Sequence, residues 1–157
     1  MNAEEIADTC LNLASQKTRG ELGHAIAKIV LSYSPRDLQR MRWNFAGKIQ
    51  DMPPELRKKL EETITGHLHG TYQALRLMNQ QGTFASMNDP PAKDAGAYWK
   101  MVAARCSGDD SEKIRLRFLK FLLSGFCMFV QGLPGHPVGM PFPGGDRVEV
   151  IDGVYYC

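Results

Sequence analysis

Apolar residues recur three and four positions apart over most of the chain, the pattern of amphipathic helices. AEEIADTCLNLASQK carries Ile6, Cys10, Leu11, Leu13 and Ala14 at roughly that spacing, and ELGHAIAKIVLSY sets Leu22, Ile26, Ile29, Val30 and Tyr33 on one face. A third helix is predicted over SPRDLQRMRWNFAGKIQD, where Ser34 is a good N-cap, Pro35 fits the first helical position and Asp37 lies in the first turn. The longest stripe, Leu56, Leu60, Ile64, Leu68, Tyr72, Leu75 and Met78, keeps the helical period for about 22 residues. QGTFASMNDPPAKDAG reads as a loop from its Gly, Asn-Asp and Pro-Pro content. A short helix is expected around AYWKMVAARC. The next segment, SGDDSEKIRLRFLKFLLSGFCMFVQG, opens acidic, which suits a helix dipole, and is apolar on all sides from Phe118, which predicts a central helix.

The pattern changes at Gly132. GLPGHPVGMPFPGG, residues 132–145, holds five glycines and four prolines in fourteen positions. RVEVIDGVYYC then alternates β-branched residues on either side of Asp152-Gly153, a strong hairpin signal. The expected fold is mainly α: one domain over 1–157, a bundle of about five to six helices, a Pro/Gly-rich strap at 132–145 and a small β-hairpin tail at 146–157.

Charge narrows the function classes. Nineteen Lys and Arg stand against seventeen Asp and Glu. Their spread is even, apart from residues 96–133 with six basic against three acidic, so no long basic stripe exists and nucleic acid is a poor candidate partner. The longest apolar run, Phe118–Val130, spans 13 residues and includes Lys120, whereas a membrane span needs about 20 apolar residues. The opening Met1-Asn2-Ala3-Glu4-Glu5 has no charged-then-apolar signal pattern. Cys10, Cys106, Cys127 and Cys157 form no CxxC pair. A cytoplasmic protein with reduced thiols is expected.

GHPVGMPFPGGDRVEVIDGVYYC, supported by RFLKFLLSGFCMFVQG and SYSPRDLQRMR, resembles a small archaeal family, the domain-of-unknown-function family 2115 of methanogens. These stretches cover roughly a third of the chain, and the His-Pro-Val-Gly, Pro-Phe-Pro-Gly-Gly and Tyr-Tyr-Cys clusters are unusual enough to be specific. The resemblance implies a setting, the cytoplasm of an anaerobe, and no activity.

Candidate chemistry concentrates near the C-terminal end. Cys127, His136 and Cys157 offer the thiolate and imidazole ligands that Zn or an Fe-S cluster prefers, with the strap able to hold His136 near the end of the Cys127 helix. Cys106 cannot join: Cys127 lies about 24 Å along the helix from Ser111, and five extended residues recover at most about 17 Å. The alternative makes Cys127 a small hydrophobe in a core helix, His136 a turn residue and Cys157 a frayed end. His67 and His69 stand two apart and point in nearly opposite directions on a helix, so they share no ion unless the helix breaks at Gly66 or Gly70. A Cys–His nucleophile pair lacks a local signature. PGGDR lacks the lysine and the strand–helix context of a phosphate loop.

Two surfaces remain. Arg36, Arg40, Arg42 and Trp43 form a basic face that suits an acidic partner or RNA, or is simply solvated. Met140 and Phe142, between prolines, are candidate anchors for a partner; alternatively the strap wraps the bundle and buries them with Leu133 and Val138. The balance favours a non-catalytic protein-binding or accessory factor, or a homo-oligomer. The alternative is a metal or redox factor using Cys127, His136 and Cys157.

Overall fold

In the computed structural model, residues 1–134 are described in full, and residues 149–151 and 154–156 are described as backbone. Helix α1, Ala3–Ala14, starts on a capping box in which Asn2 and Glu5 each accept the other's backbone N–H. Thr18 caps α2, Arg19–Val30, and Ser34 with Asp37 forms a second capping box for α3, Pro35–Lys48, with Pro35 at the start. These side chains satisfy donors that a helix N-terminus otherwise leaves open. Helix α4, Pro54–Gln81, ends at Gly82, whose φ of 66° lies in the left-handed region that glycine enters without steric cost. Helix α5 spans Ala95–Arg105, and α6, Ser111–Phe129, is capped by Asp110.

Each of α1 to α5 packs on α6, and α1 also lies along α5. Phe118, Leu119, Leu122, Leu123 and Phe126 on α6 are completely buried, as the all-round apolar pattern predicts. Burying such side chains is worth about 1.5–3 kcal/mol each. The approach of α5 to α6 depends on Gly125. A Cβ there would stand 2.6 Å from Cη2 of the buried Trp99.

One expected loop is more ordered than its composition suggests. Thr83–Ser86 forms a 3₁₀ turn whose Phe84 is buried and meets Phe126 edge to face, with ring centroids 6.0 Å apart. Arg19 ties the following stretch down, pairing with Asp89 at 3.1 Å and donating Nη1–H to the Val130 carbonyl at 2.9 Å. Gly and Asn-Asp signals locate the turn correctly, but Phe84 supplies the burial that orders it.

A second clamp joins α3 to α6. Arg115 donates to Asp37 from both terminal guanidinium nitrogens, Nη2 at 2.6 Å and Nη1 at 3.2 Å, and its guanidinium lies 5.2 Å from the Tyr33 ring centre. Glu149–Ile151 (β1) pairs antiparallel with Val154–Tyr156 (β2), with Val150 opposite Tyr155. Asp152-Gly153 lies outside the described residues. Among the described residues, no helix is long and apolar enough to cross a membrane.

Candidate functional site

The C-terminal turns of α6 bring Cys127 against α4. Its thiol is 1% exposed, donates to the Pro134 carbonyl at 3.0 Å, and lies 3.9 Å from His67 Nε2. Thr71, one turn beyond His67, donates Oγ–H to the His67 carbonyl at 2.9 Å. Burial pushes the Cys127 thiol pKa up, and a side-chain hydrogen bond with Thr71 offsets part of that. Burial therefore favours the protonated thiol in this arrangement.

The sequence pairs Cys127 with His136 and Cys157. Both lie outside the described residues, as do Met140 and Phe142. The described neighbour is His67, sixty positions away in sequence, whose approach no local spacing announces. α4 runs unbroken through Gly66 and Gly70, so His67 and His69 diverge as expected, and His69 is exposed. Among the described residues, no cluster of three His, Cys, Asp or Glu side chains is placed to hold a metal ion. Leu133, expected beneath the strap, is 47% exposed.

The other described thiols are no more reactive. Cys10 and Cys106 are buried; burial and then Cys106 push the Cys10 pKa up to about 12, and burial pushes Cys106 to about 11 against the pull of Arg117 and Lys120.

A different chemistry collects on the N-terminal half of α6. There α3 and α6 enclose a cavity of about 350 Å³, lined by Met41, Trp43, Phe45 and Lys48 from α3 and by Lys113, Leu116, Arg117 and Lys120 from α6. Lys113, Arg117 and Lys120 share a face because they follow at four and then three residues. Lys48 arrives from the last turn of α3. Met41 and Leu116 are buried and give the cavity an apolar floor, while Trp43 is 64% exposed.

None of these four cations forms an ion pair among the described residues; the ion pairs there join Arg19 to Asp89, Arg40 to Glu112, and Arg115 to Asp37 and Glu112. Arg117 donates Nη1–H to the Arg105 carbonyl at 2.8 Å, and Lys120 Nζ sits 5.4 Å from the Phe121 ring centre. Burial, followed by repulsion from Lys48, Arg117 and Arg105, brings the Lys120 pKa down to about 8. Burial, then Arg117 and Lys113, lowers Lys48 as well.

Of the expected basic face, Trp43 alone lines this cavity. Arg40 is engaged by Glu112 at 3.0 Å, and Arg36 is exposed. The α6 cations were missed because Lys120 interrupts an apolar run and Lys113 and Arg117 alternate with acids and hydrophobes. Their four-and-three spacing is the signal that would have found them. A second hollow, about 410 Å³ between α3 and α4, is lined by Arg42, His69 and Arg76 with Leu38 and Tyr72.

Comparison with known proteins finds relatives in archaea. A UPF0305 protein of Methanothermobacter thermautotrophicus is 62% identical over 29 residues, which make up 18% of this chain and 19% of that relative's length. A UPF0305 protein of Methanopyrus kandleri is 23% identical over 120 residues, 76% of this chain and 80% of the relative. No solved structure matches the chain. The family described as an uncharacterised protein conserved in archaea, DUF2115, matches residues 18–157, which takes in α2 to α6 and all that follows, so the chain belongs to that archaeal family.

Proposed function

We propose that this protein is a non-catalytic accessory factor of the cytoplasm, acting by binding, with the cavity between α3 and α6 as its recognition site. One observation supports this above the others: four basic side chains line a single cavity with no carboxylate paired to them among the described residues. Like charges held together cost folding free energy, and an acidic ligand or partner recovers it. Exposed Trp43 beside Arg117 adds the residue types that dominate binding energy at protein interfaces. Arg36 extends the surface along α3, and Met140 and Phe142 are proposed as further anchors for a protein partner or second copy.

Thermal unfolding in the presence of acidic probes tests the binding role. Inorganic phosphate, citrate or a tetraglutamate peptide should raise the melting temperature in a salt-sensitive way, and the Arg117→Met/Lys120→Met double variant should lose that response. If no anion stabilises the wild type, the proposal falls.

A second reading rests on the 3.9 Å approach of Cys127 Sγ to His67 Nε2. Sulfur and nitrogen ligands around a tetrahedral zinc stand about 3.5 Å apart for Zn–S and Zn–N bonds of about 2.3 and 2.0 Å. Cys127 and His67, completed by His136 and Cys157, are proposed as that ligand set. Elemental analysis of anaerobically purified protein decides it: stoichiometric zinc or iron, lost in Cys127→Ser and His67→Ala, supports a metal factor, and clean absence removes it.

A further inference from the structure

We propose that the cavity between α3 and α6 binds a small phosphorylated molecule with a planar apolar group, the phosphate held among Lys48, Arg117 and Lys120 and the ring laid against Trp43. This rests on the cavity being the recognition site, and it names the ligand class.

Size comes first. A cavity of about 350 Å³ falls in the range of small-molecule pockets. An acidic protein segment needs a longer track of cations, and two neighbouring charges are already spent, Arg40 on Glu112 and Arg115 on Asp37 and Glu112.

Charge comes second. Lys48 approaches from α3, and Lys113, Arg117 and Lys120 from α6, so positive charge faces the cavity from two helices. A single carboxylate leaves most of that charge unmatched, whereas a phosphate monoester brings nearly two negative charges and three acceptor oxygens. Arg117 has spent Nη1 on the Arg105 carbonyl, and its other guanidinium N–H groups remain for phosphate oxygens.

The lining supplies the third constraint. Met41, Phe45 and Leu116 offer nothing to a bare inorganic anion, and solvent-exposed Trp43 adds a large aromatic ring to the same lining. Together they call for an apolar, planar body attached to the phosphate. The depressed Lys120 pKa agrees: a dianion beside it restores the proton, so binding near pH 8 to 9 should take up protons from the buffer.

The test is calorimetric titration of the full chain with phenyl phosphate, inorganic phosphate and tetraglutamate, in two buffers of different ionisation enthalpy. Phenyl phosphate is expected to bind at least tenfold more tightly than inorganic phosphate. Trp43→Ala should remove that advantage without changing phosphate affinity, and Arg117→Met/Lys120→Met should weaken both ligands more than tenfold while keeping a cooperative melt. Lys48→Met, at an exposed position, serves if the double variant does not fold. The buried Trp99 leaves Trp43 as the fluorophore that phenyl phosphate quenches.

Equal affinity for phenyl and inorganic phosphate, or an inert Trp43→Ala, overturns the ring assignment and with it this proposal. Binding of tetraglutamate without either phosphate overturns the ligand class but leaves the cavity as an acidic-partner site. Failure of every anion to bind overturns both.

Discussion

The two ends of α6 carry opposite kinds of chemistry. Near its C-terminus, Cys127 and His67 bring reactive groups together and then close them off: the thiol is buried, its pKa is pushed up, and it donates to a carbonyl. Nearer its N-terminus, Lys113, Arg117 and Lys120 are ordinary surface residue types, yet with Lys48 they line a cavity with no ion-paired carboxylate among the described residues. Residue identity alone would rank the first end as the functional one. Burial and pairing reverse the ranking, because a desolvated thiol loses its reactivity while an unpaired cluster of cations gains an attraction for anions.

The sharpest way to break this comparison is to disrupt the closed end. Gly125→Val drives a side chain into Trp99 and should cost about 3 kcal/mol or more, read by chemical denaturation. A cost under about 1 kcal/mol would show that α5 and α6 are less tightly seated there.

Next comes the clamp between the two helices that form the cavity. Asp37→Ala leaves Arg115 without its bidentate partner and should cost about 2–3 kcal/mol. The hydrogen bond from Arg115, against a smaller burial penalty, lowers the Asp37 pKa from 3.8 to about 2. A lowered carboxylate pKa contributes stability that is complete above the unfolded value and lost as pH falls, so the loss should run from about pH 4 down to about pH 2. Asp37→Asn should flatten that acid limb.

Cys127→Ala should cost about 1–2 kcal/mol as a plain core truncation. A far larger loss, reproduced by adding a chelator to the wild type, would instead make the closed end a metal site.

The smallest effect has the opposite sign. Lys120→Met should stabilise the protein by up to about 1 kcal/mol, since it removes a half-buried cation from among like charges. Lys120 folds with its pKa lowered from 10.5 to about 8, so the wild type should regain ground on the variant as pH rises from about 8 toward 10.5. A Lys120→Met variant that is less stable than wild type at pH 7 would place that lysine in a structural role.

Most of the scaffold is written in local sequence. Ser34, Pro35 and Asp37 fix the start of α3 by their own hydrogen bonds, and the Leu60-to-Leu75 stripe tells which face of α4 turns inward. The C-terminal site was half legible: Cys127 stands out, but His67 reaches it only because α4 crosses α6, a matter of packing between segments sixty residues apart. The cavity was legible by halves too. The α6 cations share a visible spacing and Trp43 is conspicuous, yet only the docking of α3 on α6, held by Asp37 and Arg115, sets Lys48 and Trp43 opposite them.

The position of α6 in the chain also governs when the molecule can assemble. All five earlier helices seat on it, and Arg19 reaches 111 residues ahead for the Val130 carbonyl. A ribosome adding about 5–20 residues per second makes α1 wait roughly 6–25 seconds for α6 to be complete. During that interval α1 can already lie along α5 once Arg105 has emerged, but the centre of the bundle is still missing. The bundle therefore closes late, when the last long helix arrives and completes the shared core.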